Sequence, residues 1–172
     1  MSRAAATALV LLTLSAPAAM AAEILIHDAK SSPESLTVAS DGNLFVGSAS
    51  SPYIYLVKKG ATTAETFVDA SAEGPGTFFF GQLADTPTGT LWVCLLTPVP
   101  GVTPLARHSS LRGYDLATGK EKLRWNLPGD NSVCNDFAIG PDKALYITDT
   151  VNSRIFRLAP SSHGFSLLFV SQ

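Results

Sequence analysis

The sequence predicts an all-β fold of the β-propeller class, and three observations predict it. An apolar–aromatic–β-branched triplet recurs as Leu44-Phe45-Val46, Leu91-Trp92-Val93 and Leu145-Tyr146-Ile147, at spacings of 47 and then 54 residues. A period of about 40–50 residues made of short strands is the mark of stacked repeat architectures. Turn spellings rich in Gly, Pro, Asn and Asp divide the chain at short intervals, and no stretch carries apolar residues at helical spacing. Four short antiparallel strands in each unit of this length make up a propeller blade.

The elements follow in order. In the first repeat, Ser35 to Ala39 alternates, Ser40 to Asn43 turns, and Leu44 to Gly47 forms a second strand. Tyr53 to Val57 is the third; Lys58-Lys59-Gly60 turns the chain into Glu65 to Val68. The second repeat offers Gly81 to Ala84, Leu91 to Leu95, Leu111 to Leu116 and Leu123 to Leu127 in the same roles. The third offers Phe137 to Ile139, Leu145 to Ile147, Ile155 to Leu158 and Phe165 to Val170. The blades are therefore expected at about 33–70, 80–128 and 134–172. Closed propellers have about 4–8 blades. Three units read as the first part of a six-bladed ring, truncated at Gln172, or as a chain whose uncovered blade face supports self-association.

Arg3 precedes the apolar run Ala8 to Leu14, and Ala19-x-Ala21 supplies the small residues of a cleavage site. Residues 1–21 are expected to be a signal peptide, with the propeller occupying 22–172 and the protein periplasmic or secreted. The run is too short to span a bilayer, and no membrane association is expected. With a formal net charge of −2 and only 15% charged residues, the chain lacks the basic field that nucleic acid requires. Two cysteines, Cys94 and Cys134, lie in or beside strands of adjacent repeats. An oxidising compartment favours a disulfide between them; buried free thiols are the alternative.

Counting ten residues back from Leu44, Leu91 and Leu145 reaches Glu34, Gly81 and Asn135. Equivalent first-strand positions ring a propeller axis, so a carboxylate and an amide oxygen there make a candidate site for a hard divalent cation. The competing reading has both side chains bonding nearby turn amides. The segment from Thr97 to Ser109 reads as a long loop over the same rim. It carries Arg107, suited to clamp a substrate carboxylate, and His108. A solvated insertion is the plainer reading. Asp136 and Asp149 border this mouth. No G-x-S-x-G, C-x-x-C or H-E-x-x-H spacing occurs, so the corresponding serine-hydrolase and zinc-site motifs are absent. Gly74-Pro75-Gly76 runs into Thr77 and three phenylalanines, not into the helix start of a phosphate loop.

The stretches Pro33-Glu34-Ser35-Leu36-Thr37-Val38, Asp41 to Val46, Cys134 to Ile139 and Leu145 to Asp149 resemble the SMP-30/gluconolactonase/LRE-like family of six-bladed propellers. The same spellings also occur in NHL-type and strictosidine-synthase-like propellers. The resemblance implies that Glu34 is a ligand of one divalent metal, Ca²⁺ preferred with Mg²⁺, Mn²⁺ or Zn²⁺ as alternatives. It implies that Asn135 serves both metal and substrate. Asp136 and Arg107 complete the expected substrate-binding set. The implied activity is metal-dependent hydrolysis of a lactone or related ester of the sugar-acid class, impaired in this chain because the family's other ligands and its general base lie on later blades. The alternative is a non-catalytic NHL-like propeller that binds a small molecule or a protein.

Overall fold

The computed structural model describes residues 23–99, 101, 107–129 and 131–170. The expected signal segment lies outside these residues. Three four-stranded antiparallel sheets follow one another along the chain, each a meander in sequence order. The first holds β1 (Pro33–Val38), β2 (Leu44–Ser48), β3 (Tyr53–Val57) and β4 (Glu65–Asp69). The second holds β5 (Phe78–Asp85), β6 (Thr90–Pro98), β7 (Arg107–Asp115) and β8 (Glu121–Asn126). The third holds β9 (Cys134–Ile139), β10 (Leu145–Asp149), β11 (Arg154–Leu158) and β12 (Ser166–Val170). Besides strands, the described residues contain only single turns of 3-10 helix at Ser71–Glu73 and Thr86–Thr88.

The repeated triplets form the second strand of each sheet, flanked on both sides, which is why they read as apolar runs rather than alternating patterns. Phe45, Leu91, Val93 and Ile147 are almost fully buried there. One core fills the space between the first and second sheets and gathers Phe45, Ile54, Val68, Phe79, Leu91 and Tyr114. A second lies between the second and third sheets, around Trp92, Cys94, Leu111, Phe137, Ile147 and Phe156. At about 25 cal/mol per Å2 of apolar surface removed from water, these two layers are the main term holding the blades together.

The inner strands lie side by side, β1 against β5 and β5 against β9. Polar bonds fix their register across the blade boundary. Ser35 Oγ donates to the Phe80 carbonyl (2.8 Å), and Gln82 Nε2 donates to the carbonyls of Ser35 (2.9 Å) and Phe45 (2.8 Å). The Ala84 amide donates to Thr37 Oγ1 (3.1 Å). Between the second and third blades the fastening is covalent: Cys94 and Cys134 form a disulfide with their Cα atoms 5.3 Å apart. The Cys134 amide also donates to Ser109 Oγ (2.7 Å).

The expectation of a long loop from Thr97 to Ser109 is corrected. Leu96 pairs with Ser109, Thr97 with His108 and Pro98 with Arg107, so β6 and β7 run on as a hairpin. Of the prolines that suggested a loop, Pro98 is the last residue of β6, and a proline removes a ladder donor only at its own position. Residues 100 and 102–106, between the two strands in sequence, lie outside the described residues.

Candidate functional site

Each inner strand carries one extra residue at the same place. On β1, Pro33 pairs with Ser48 and Ser35 with Gly47, leaving Glu34 in a bulge. On β5, Phe79 pairs with Leu95 and Gln82 with Val93, so the bulge falls at Phe80-Gly81. On β9, Phe137 pairs with Ile147 and Cys134 with Asp149, placing Asn135-Asp136 in the bulge. A bulge turns a side chain out of the alternation of its strand, and bulges gather next to active sites. Here three of them stand at one end of three adjacent strands, on the residues that the ten-residue spacing singles out.

Gly81 lets the bulges approach. A Cβ built on it would lie 2.7 Å from Asp136 Oδ1 and 2.8 Å from both the Asn135 carbonyl and Asp136 Cα. Asp136 is fixed from three sides. Its amide donates to Thr148 Oγ1 (3.1 Å), its carbonyl accepts from the same hydroxyl (3.0 Å), and its Oδ1 accepts from the Phe137 amide (2.8 Å). Across the gap, the Glu34 carboxyl is held above the ordinary glutamate range, first by burial of its charged form and then by the negative charge of Asp136. Glu34 is solvent-exposed as a residue, so the effect comes from the carboxyl end resting against its neighbours. Among the described residues, no hydrogen bond or ion pair engages the side chains of Glu34 or Asn135.

A carboxyl whose ionisation is disfavoured by a second carboxylate, Glu34 beside Asp136, is the chemistry a hard cation relieves. Glu34 and Asn135 carry oxygen donors of the kind such an ion takes. Among the described residues no three His, Cys, Asp or Glu side chains converge on one point, so protein groups alone supply only part of a coordination sphere here.

Arg107 opens β7 at the same end of the blades, with its guanidinium 5.8 Å from the Phe78 ring centroid. It lines a polar recess of about 270 Å3 together with His108, Arg124 and Asn126, and none of Glu34, Asn135 or Asp136 borders that recess. At the foot of the recess Arg112, almost fully buried, donates to Glu121 (2.7 Å), Glu73 (3.1 Å) and Ser110 Oγ (2.7 Å). A charge buried this deeply needs such partners, and they tie the segment between the first two blades to β7 and β8. The lone arginine within the apolar run Leu111-Arg112-Gly113 was the available signal for this cluster.

Asp149 does not face the mouth. It is 1% exposed and accepts from the Val133 amide (3.0 Å), Asn152 Nδ2 (3.0 Å) and Arg154 Nη2 (2.6 Å). Burial alone would raise its pKa; the bonds from Val133, Asn152 and Arg154 outweigh that and lower it. Ser48, at the matching position of the first blade, likewise accepts from the amides of Ser32, Ser50 and Ser51. Both residues fasten the turn into the third strand.

No protein-family model matches this sequence, and no curated protein matches it. Solved structures do match in fold. A protein of unknown function from Bacteroides caccae aligns over 84% of this chain and 48% of its own, at 9% identity and a TM-score of 0.57. An oxidoreductase described as a glucose dehydrogenase from Thermus thermophilus aligns over 77% and 44%, at 17% identity and a TM-score of 0.53. The PQQ-bound aldose sugar dehydrogenase of Streptomyces coelicolor aligns over 76% and 45%, at 18% identity and a TM-score of 0.51. The chain thus spans about half the length of each of these. Likeness at this level of identity establishes the architecture: three consecutive blades of a β-propeller.

Proposed function

We propose that these blades are the first half of a six-bladed, exported propeller of the SMP-30/gluconolactonase type that hydrolyses a lactone or related ester with a divalent metal, Ca²⁺ by preference. The observation that carries this reading is the repeated inner-strand bulge, which sets Glu34 beside Asp136 and, among the described residues, leaves the side chains of Glu34 and Asn135 without a hydrogen bond or ion pair. Glu34 and Asn135 would hold the ion, which when bound polarises the ester carbonyl. Asp136, locked by Thr148 and Phe137, supplies a fixed negative charge beside the ion and an acceptor for a substrate hydroxyl. Arg107, at the same end of the blades, is suited to a substrate carboxylate. In that family the remaining ligands and the general base lie on later blades, so three blades alone would turn over little.

Calorimetric melting of the chain with and without Ca²⁺ tests this. At ten times Kd the ion adds about 1.4 kcal/mol of stability by mass action, and Glu34→Gln should abolish that gain. A melting temperature indifferent to about 10 mM Ca²⁺, above the range of weak extracellular calcium sites, would remove the metal and the hydrolase with it. It would leave the non-catalytic binding propeller.

A further inference from the structure

The two clefts between neighbouring blades are built from matching positions but are not equally filled. Leu91 pairs with Tyr114 and Leu145 pairs with Leu158, so Tyr114 and Leu158 hold the same place in the second and third blades. In the first cleft the Tyr114 ring is buried with Phe45 and Leu91, and burial pushes its phenol pKa up to about 12. The facing wall is also aromatic: Phe45 and Phe67 meet edge to face with ring centroids 4.9 Å apart. In the second cleft leucine replaces the tyrosine, and an apolar cavity of about 650 Å3 opens at that point. Its walls are Trp92 and Trp125 on one side, with centroids 5.9 Å apart, and Ile139, Leu145 and Leu158 on the other.

This volume lies within the roughly 300–1,000 Å3 of small-molecule pockets, which are likewise mostly apolar with a few polar groups at fixed places. Polar groups stand at the rim, among them Asp85 at the end of β5 and Lys143 and His163 in turns. The two indoles offer the faces and edges that aromatic rings prefer to meet. The cavity lies at the opposite end of the inner strands from Glu34 and Asn135, so it is independent of the site proposed above. We infer that the cleft between the second and third blades binds a small planar aromatic molecule of one or two rings bearing a hydroxyl, the group that Tyr114 supplies from within the chain in the first cleft.

The chain has two tryptophans in all, and both line this cavity. Their indole N–H resonances in a proton–nitrogen correlation spectrum therefore report on it alone. Titration of the full chain with 2-naphthol should move both resonances and saturate below about 1 mM. Leu158→Tyr, which restores the ring of the first cleft, should weaken binding at least about tenfold. Leu123→Phe, which fills the cavity from β8, should do the same and carries the test should the tyrosine variant not fold. Indole resonances unmoved at about 1 mM, equal binding by the filled variants, or shifts confined to the exposed apolar residues of β12 would each overturn the assignment.

Discussion

Replacing Gly81 with alanine probes the closeness of the inner strands directly. The added methyl would stand 2.8 Å from the Asn135 carbonyl and from Asp136 Cα, some 0.6 Å short of the 3.4 Å at which ordinary contact begins. Two of its three nearest neighbours belong to backbone or Cα and cannot rotate away, so β9 must retreat from β5. Overpacking of this kind costs about 1–3 kcal/mol. Alanine returns about 0.4–1 kcal/mol by restricting the unfolded chain, and the middle of the two ranges leaves a net loss of about 1.3 kcal/mol. Urea unfolding measures it as a lower midpoint at unchanged slope. Gly164→Ala is the control, because nothing lies within 4 Å of its Cβ position, and it should stay within about 0.5 kcal/mol of the parent. A Gly81→Ala chain as stable as the Gly164→Ala chain would refute the close approach of the bulges.

Two further outcomes follow from the same structure. The Cys94–Cys134 bridge spans 40 residues, for which chain entropy gives about 4 kcal/mol; the double alanine variant should lose most of this in urea unfolding under oxidising conditions. Stability should also fall as the solution is acidified. Asp149, Glu73, Glu121 and Asp142 all have folded pKa values below their ordinary ones, Asp142 at about 2. Their contribution is complete above the unfolded values of 3.8 and 4.5 and is lost as pH falls through the folded ones. Glu34 runs the other way, its raised pKa making ionisation a cost as pH climbs past 4.5. Unfolding free energy measured between about pH 2 and 6 should therefore rise overall, with Asn at Asp149 removing part of the slope.

Much of this was legible because a propeller repeats itself. The triplets starting at Leu44, Leu91 and Leu145 are buried or half-buried on both faces, so apolar side chains fill them, and their spacing exposed the blades. Turn chemistry such as Asp41-Gly42 and Pro141-Asp142 placed the hairpins between first and second strands. The ten-residue count singled out Glu34, Gly81 and Asn135 as equivalent positions, and the bulges the sequence did not announce fall on them, because position along a repeat is preserved even where side-chain chemistry is not. The β6–β7 hairpin was hidden because proline content speaks against a ladder locally, whereas pairing depends on the partner strand. Asp149 looked like a mouth residue because one-dimensional position does not reveal which way a strand end faces. Its counterpart in the first blade is a serine, so type gave no warning of the shared structural role. The cavity between the second and third blades depends on Leu158 standing where Tyr114 stands one repeat earlier, and only strand register brings those two residues into correspondence.

The central claim is that the inner-strand bulges bring Glu34 and Asp136 within electrostatic reach across Gly81. Nuclear magnetic resonance titration of the Glu34 carboxyl in the parent chain and in Asp136→Asn tests it most directly. The parent value should lie above 4.5, and the variant value should drop while remaining somewhat raised, since burial is the larger cause. An identical titration in both chains would contradict the account.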